Sequence, residues 1–511
     1  MSDLLANLAM GFSVAFSLKT LFWCFVGVFM GTFIGVLPGI GPLATISMLL
    51  PVTFHLDATS AIIMLAGIYY GANYGGSTAS ILLNLPGTPS SAVTCLDGYP
   101  MAKQGRAGVA LMATTLASFI GSSIGILLFT GFAPALAEIG LKFGPAEYFA
   151  MMLLGLVAAS TVATGAPLKG VAMVVVGVAL GLVGTDVQTG QQRFTFGLLP
   201  LADGINLVSL AMGMFGIAEV INSVGRVAQQ RSTYRSSVLP WTRDFWRAMD
   251  PGREDWRRIP GSSVRGSAIG SFFGALPGTG PTISAFLAYA LEKKIAREPK
   301  RFGHGAIEGI SSPEAANNAA AQTAFIPTLT LGIPGDVVMA LMLGALIIQG
   351  IQPGPRLVAE HPQLFWGLAA SFWIGNVMLV ILNLPLIGIW VAILRIPYSI
   401  LYPAILVFLV IGVYSVNNSV FDVVTCILFG FVGYAMNLMR FEPAPLLLGF
   451  VLGPLMEEHL RRAMLLARGD PMVFLERPIS ATFVAITAVL LLLALWSSLK
   501  PKRAEGFSAP I

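Results

Sequence analysis

Residues 27–42 read GVFMGTFIGVLPGIGP, and residues 266–281 read GSAIGSFFGALPGTGP. Every glycine of the first stretch has a glycine partner in the second, and both prolines match, so the chain carries an internal repeat. Gly27, Gly31 and Gly35 are four residues apart, as are Gly266, Gly270 and Gly274. Positions i and i+4 share a helix face. A strip of glycine on that face lets another helix backbone come close in lipid. The ladder is then followed by Leu37-Pro38-Gly39-Ile40-Gly41-Pro42 and Leu276-Pro277-Gly278-Thr279-Gly280-Pro281. Prolines remove backbone donors and glycines tolerate unusual dihedrals, so no helix runs straight through. Pro42 and Pro281 are placed to begin new half-helices. The free N–H groups at such starts suit an anion. If the two breaks meet, they offer two such ends; otherwise they are ordinary kinks.

Downstream of each break lies a second stretch of small and polar residues. The first runs from Tyr70-Gly71-Ala72-Asn73-Tyr74-Gly75-Gly76-Ser77 to Asn84-Leu85-Pro86-Gly87-Thr88-Pro89. The second runs from Ala316-Asn317-Asn318 through Gln322 and Thr323 to Gly332-Ile333-Pro334-Gly335-Asp336. Uncharged polar groups in apolar surroundings can hold a carboxylate or a partly dehydrated cation; the competing use is hydrogen bonding between helices. Asp336 is the best-placed charge, either as a cation ligand or as a helix N-cap. Asp186 reads as the end of a span, and Lys169 as a side chain snorkelling to the interface.

Composition sets the environment. Of 511 residues, 55% are apolar and only 11% charged, against about 25% charged in soluble domains. That is too little charge to cover a surface in water. A span takes roughly 20 apolar residues. The runs at 20–38, 107–131, 144–164, 166–185, 199–222, 363–393, 398–414, 417–437 and 479–499, with the interrupted segments, predict an all-α polytopic membrane protein of about 10–12 crossings. The N-terminus lacks a basic region before its apolar stretch and reads as a retained surface helix or first span. Four regions follow: a first membrane repeat at 1–222, an Arg-rich cytoplasmic linker at 223–262, a second repeat at 263–478, and a last helix with a cytoplasmic tail at 479–511.

Loop charge bears on orientation. After the first break, residues 53–60 hold no Lys or Arg; the matching loop of the second half holds Lys293, Lys294, Arg297, Lys300 and Arg301. The next loops reverse the bias, with Lys103 and Arg106 in the first half and only Arg356 in the second. Opposite bias at matching loops predicts inverted-topology repeats, an architecture of secondary transporters.

Signs of other classes are weak. Gly121-Ser122-Ser123-Ile124-Gly125 fits the serine-hydrolase pattern but sits inside an apolar span, where small-residue packing explains it. P-loop, H-E-x-x-H and C-x-x-C patterns are absent, the four histidines are dispersed, and Cys24, Cys95 and Cys426 are far apart. The sequence expectation is no enzyme and no cofactor; an intramembrane enzyme or a passive anion channel stands as the alternative.

GVLPGIGPLATISMLLPVTF, GIYYGANYGGSTASILLNLPGTPSSAVTCLDGYPMAKQGRAG, GTDVQTGQQRFTFG at 184–197, MGMFGIAEV at 212–220, GALPGTGPTISAFLAYALEKK and EGISSPEAANNAAAQTAFIPTLTLGIPGD together resemble the large membrane subunit of the tripartite tricarboxylate transporters. The resemblance extends to about residue 460. It implies a bacterial inner-membrane secondary transporter that imports carboxylates by alternating access. It also implies a small four-span membrane partner, a periplasmic solute-binding protein, and coupling to a cation gradient, sodium or proton. Placing substrate and ion at the helix breaks and polar stretches makes Gly35, Pro38, Gly39, Gly41, Pro42, Asn73, Tyr74, Ser77, Asn84, Gly87 and Thr88 candidates in the first half. Gly274, Pro277, Gly278, Thr279, Gly280, Pro281, Asn317, Asn318, Thr323, Pro334, Gly335 and Asp336 are those of the second.

Overall fold

The computed structural model describes residues 2–37, 41–162, 167–186, 188–227, 247–393 and 398–499. In chain order the main helices are α1 (Ser2–Ala15), α2 (Leu18–Val36), α3 (Pro42–Thr53), α4 (Ala58–Leu83), α5 (Cys95–Lys103), α6 (Ala107–Gly140), α7 (Pro145–Val162) and α8 (Pro167–Gly181). After them come α9 (Leu207–Ala211), α10 (Ala218–Val227), α11 (Gly252–Gly274), α12 (Gly280–Ile295), α13 (Glu308–Thr323), α14 (Phe325–Leu331) and α15 (Val337–Ile348). The chain closes with α16 (Pro362–Asn383), α17 (Ile387–Ile393), α18 (Tyr398–Asn417), α19 (Val420–Leu438), α20 (Pro443–Leu466) and α21 (Pro478–Leu499). One small antiparallel hairpin pairs Gly184 with Arg193 and Thr185 with Gln192. The all-α polytopic reading holds. Among the described residues, five helices are long and apolar enough to cross a membrane, within α2, α6, α16, α19 and α21, and shorter apolar helices of 10–17 residues accompany them.

Two compact units form, one of Met1–Lys142 and Val183–Leu438, the other of Phe143–Leu182 and Met439–Ile511. In the smaller unit α8 and α20 interlock through glycine. A side chain at Gly177 would strike the Leu446 carbonyl, and one at Gly449 the Val174 carbonyl. The buried Glu147 accepts from the Gly144 N–H at 2.8 Å and pairs with Arg477. Lys169 donates to the Met439 carbonyl at 2.8 Å and covers the Phe441 ring.

The larger unit contains both copies of the repeat. The glycine ladder of α2 meets α4 at a constant offset: Gly27 faces Met64, Gly31 faces Ile68 and Gly35 faces Ala72. In the second copy Gly266 of α11 faces Ser312 of α13, Gly270 faces Ala316 and Gly274 faces Ala320. At each position an added Cβ would overlap a carbonyl oxygen or backbone of the partner helix. The small residues therefore serve the packing expected of them.

The offset also fixes direction, since partners that advance together along both chains define parallel helices. α4 begins level with about residue 21 of α2, so the chain must return some 15 residues, roughly 22 Å at 1.5 Å per residue. α3, at 12 residues, spans most of it and ends at the turn at 54–57. α2 and α3 thus run in opposite directions as a helical hairpin. Lys19 at the start of α2 pairs with Asp57, the N-cap of α4, at the open end of that hairpin. α11, α12 and α13 repeat the pattern.

Contacts between the halves are reciprocal. α2 and α4 pack against α16, while α11 and α13 pack against α6. α3 touches α15, while α12 touches the 3-10 turn Pro89–Ala92, which holds the place in the first half that α15 holds in the second. Such exchange is what an approximate two-fold relation produces. The GSSIG stretch serves this interface: side chains at Gly121 and Gly125 would collide with Ala315 and Ala319 of α13. α1 packs on α16, with Gly11 over the Trp366 carbonyl. On either side of the linker, helix α10 continues to Val227 and α11 begins at Gly252, so only its middle lies outside the described residues. α18 and α19 expose Val407, Phe408, Ile411, Leu428 and Phe431, a surface suited to lipid.

Replacing Gly31 or Gly270 with Leu forces two backbones apart and is expected to cost at least the roughly 1–3 kcal/mol of an overpacked core. Gly131 of α6 has nothing within 4 Å of an added Cβ, so Gly131→Ala is expected to be neutral or stabilising by up to about 1 kcal/mol. Thermal unfolding of the purified variants, read with size-exclusion profiles, checks both expectations.

Candidate functional site

Each half brings two turns together. In the first, a side chain at Gly87 would overlap the Gly35 carbonyl and crowd Gly76, and one at Gly41 would come within 3.8 Å of Pro89 Cδ. In the second, Gly335 lies over the Gly274 carbonyl, and Gly280 lies against the Asp336 Cβ. The Gly278 N–H donates to the Gly335 carbonyl at 2.8 Å. Gly278 and Gly280 have φ of +83° and +60°, left-handed values that require glycine where the hairpin turns. Thus the start of α3 meets the turn at Pro89, and the start of α12 meets the start of α15. Pro42 is the first residue of α3, as its position in the motif predicts. Pro281 is the second residue of α12. Pro38 and Gly39 lie outside the described residues.

Thr88 and Asp336 hold equivalent places, each following a Pro-Gly pair. Asp336 is the N-cap of α15, its carboxylate accepting from the Met339 N–H at 2.8 Å. Its other oxygen accepts from the hydroxyl of Tyr69, on α4 of the opposite half. Of the two roles the sequence left open for Asp336, the cap is formed. In the first half the corresponding Thr88 is neutral; its hydroxyl meets Ser90 Oγ at 3.0 Å.

Between these turns runs a buried seam of amides and hydroxyls, with Glu314 as its one acid among the residues named here. Ser90 Oγ donates to Asn73 Oδ1 at 3.4 Å, and Asn73 Nδ2 has no partner. The Tyr74 hydroxyl donates to Asn376 Oδ1 at 2.5 Å, and Asn376 Nδ2 donates to the Phe119 carbonyl and Ser123 Oγ, both at 3.2 Å. Asn318 donates to Ser118 Oγ at 2.8 Å and to the Glu314 carbonyl at 3.0 Å. Asn317 is fully buried, with neither amide atom hydrogen-bonded, and the same holds for the side chain of Gln322. Thr94 donates to Glu314 Oε1 at 2.5 Å.

Other sequence candidates have local roles. Ser77 returns a bond to the Tyr74 carbonyl at 2.9 Å, and Thr323 one to Ala319 at 3.1 Å. Asn84 is an exposed, left-handed C-cap of α4 with φ +58°. The Thr279 hydroxyl caps the end of α11 by donating to the Phe273 carbonyl, and it also meets the Leu276 carbonyl at 3.0 Å. Pro277 is half-buried at the tip, and Pro334 is buried beside Gly335. Asp186 closes the small hairpin, near Arg193 at 3.9 Å.

Sequence reading missed Tyr69, Thr94, Asp97, Glu314 and Asn376. Glu314 had a signal, an acid inside the small-residue run Ser311-Ser312-Pro313-Glu314-Ala315-Ala316, where charge in an apolar helix marks function. Asp97 is fully buried and accepts the N–H groups of Gly303, Gly305 and Ala306, each at 2.8 Å, and the Tyr289 hydroxyl at 3.0 Å. It clasps α5 to the loop before α13, a pairing across two hundred residues that local spacing does not reveal. Among the described residues no group of three or more His, Cys, Asp or Glu is placed to hold a metal.

Paired helical hairpins that meet around a buried polar seam suit a membrane transport subunit. The chain belongs to the tripartite tricarboxylate transporter TctA family, whose model matches residues 21–448. It is similar to an uncharacterised 52.8 kDa protein of the TAR-I ttuC' 3' region of Agrobacterium vitis, 53% identical over 507 residues and 99% of both chains. A second protein of that organism, from the TAR-II ttuC' 3' region, is 57% identical over 238 residues, 47% of this chain and 98% of its own length. No solved structure matches.

The Asp336 cap provides a structural check. Asp336→Asn keeps an acceptor for the Met339 N–H and is expected to fold normally, whereas Asp336→Ala loses the cap and leaves the Tyr69 hydroxyl unpaired, at about 1–3 kcal/mol. Tyr69→Phe in the Ala background should then cost less than in the native chain, and a double-mutant cycle of melting curves measures the difference.

Proposed function

We propose that this subunit forms the translocation path of a carboxylate importer driven by a cation gradient in a bacterial inner membrane. A small four-span membrane subunit would assemble with it, and a periplasmic solute-binding protein would deliver the solute. Family membership supports the transport of tricarboxylates; the coupling, the partners and the inner membrane follow from what the family resemblance implies.

One observation carries the placement of the solute. The start of α3, the turn at Thr88–Ser90 and the unpartnered Asn73 Nδ2 come together without any acidic side chain of their own, whereas the matching place in the second half contains Asp336. Helix-start N–H groups, hydroxyls and a spare amide donor are what a carboxylate needs. We place the solute carboxylate at this first-half cluster of donors and regard Asn317 as its neighbour across the seam.

Exposed loop charges of opposite bias, together with the reciprocal contacts of the halves, support inverted repeats and movement by alternating access. Supporting no enzyme is the use of the one hydrolase-like motif in helix packing.

Reconstituted with both partners, the subunit should accumulate radiolabelled citrate, or the carboxylate that the binding protein is found to hold, in proteoliposomes. Accumulation should vanish when the sodium and proton gradients are both removed; uptake indifferent to both gradients would contradict coupling and favour a passive channel. Asn73→Ala and Asn317→Ala should each lower the uptake rate about tenfold, the loss of one hydrogen bond to a charged group, with expression and melting little changed. Unaltered kinetics in both variants would remove these residues from the site.

A further inference from the structure

Glu314 stands apart from every other acid of the larger unit. It is 1% exposed, one oxygen is held by Thr94, and Oε2 has no hydrogen-bond partner. None of the ion pairs among the described residues includes it. Other buried acids are provided for: Asp97 has three N–H donors and a hydroxyl, Glu292 has Arg265, and Asp255 has Arg106. An ionised carboxylate with one hydroxyl and no counter-charge is not tolerated in such surroundings.

The groups facing Glu314 are all neutral. Thr94 lies at the foot of α5 and Cys95 follows it; Tyr74 approaches from α4; Asn317 stands one turn along α13, its amide beside the Glu314 carboxylate with neither amide atom in hydrogen-bond geometry. The Glu314, Asn317 and Thr94 side chains thus gather hard oxygen donors at the crossing of the two halves, the kind of donors that hold alkali cations.

We propose that Glu314 is the coupling-cation site of this subunit: a monovalent cation neutralises its carboxylate, with the Thr94 hydroxyl and the Asn317 amide oxygen completing the shell. A proton needs only Oε2, and a sodium ion uses the whole set. The position suits coupling, because the same short segment, 88–94, carries Thr88 and Ser90 of the solute pocket at one end and Thr94 at the other. Binding at one end therefore bears on the geometry of the other.

This assignment rests on the cation-coupled reading above, and a binding experiment separates the two. Full-length protein, purified with its small membrane partner, is titrated with sodium chloride at alkaline pH against a choline background. Radioactive sodium binding and the melting midpoint are read together. A second series varies pH without sodium, reading the carboxylic-acid carbonyl stretch by difference infrared spectroscopy. Glu314→Gln mimics the neutral acid and keeps an acceptor for Thr94, so it should fold with a melting midpoint at least equal to that of the native chain in the absence of the cation.

Sodium-dependent binding and stabilisation in the native protein, weakened tenfold or more in Glu314→Gln, identifies an alkali-cation site. A pH-dependent acid band lost in Glu314→Gln, with no sodium response, identifies a proton site. Thr94→Val, which keeps the carboxylate, should weaken the response without abolishing it. Persistence of the native response in Glu314→Gln, or no response to either cation in the native protein, overturns the proposal. If citrate uptake depends on a gradient while Glu314→Gln binds cation normally, the coupling reading survives and the site falls. If Glu314 binds cation but uptake ignores both gradients, the site survives and coupling falls.

Discussion

Everything in the larger unit depends on two helix pairs lying closer than side chains permit. α2 on α4 and α11 on α13 are in backbone contact along three successive turns, because Gly27, Gly31, Gly35 and their counterparts Gly266, Gly270, Gly274 present no Cβ. In lipid there is no hydrophobic gain from bringing apolar helices together, so close packing must supply the association. It also sets the register: with α2 and α4 parallel and in fixed offset, the chain between them can only fold back, and in the second half the LPGTGP turn is the point of reversal. The last glycine of each ladder then supplies the carbonyl on which the next Pro-Gly turn rests, Gly35 under Gly87 and Gly274 under Gly335. One packing rule therefore builds the pair of converging turns in each half.

From that scaffold follow the differences between the halves. Their backbones correspond closely, but their chemistry does not. Thr88 stands where the other half has Asp336, and Tyr69 of α4 stands where α13 has Asn317, by the same offset that pairs Met64 with Ser312 in their respective ladders. The second half holds an acid that caps a helix and is anchored to the first half through the Tyr69 hydroxyl. The first half offers donors and no acid. At matching places the first half thus has hydroxyls and the second an acid already paired with a hydroxyl and a backbone N–H.

Much of this was legible in the sequence. The repeat, the ladder, the half-helix start at Pro42, the polar runs and the use of GSSIG in packing are all local patterns with one physical meaning each. The hairpin was harder, since glycine and proline announce an end to a helix but not where the chain goes next; parallel packing of α2 and α4 decides that, and it is a long-range fact. Glu314 shows a different kind of miss. Read along the chain it is one acid among polar residues. Its meaning comes from Thr94, some two hundred residues away, and from having no basic partner among the described residues. Asp97 and Asn376 are likewise defined by partners from the other half.

A shared solute path requires the two halves to face opposite ways, for only then do the two hairpins approach one seam from both sides of a membrane. Single cysteines at His55, between α3 and α4, and at Glu298, between α12 and α13, occupy matching exposed loops. In a chain with Cys24, Cys95 and Cys426 replaced, a membrane-impermeant maleimide applied to intact spheroplasts should label His55→Cys and reach Glu298→Cys only after permeabilisation. Labelling of both from the same side would contradict the inverted arrangement and, with it, the shared solute path.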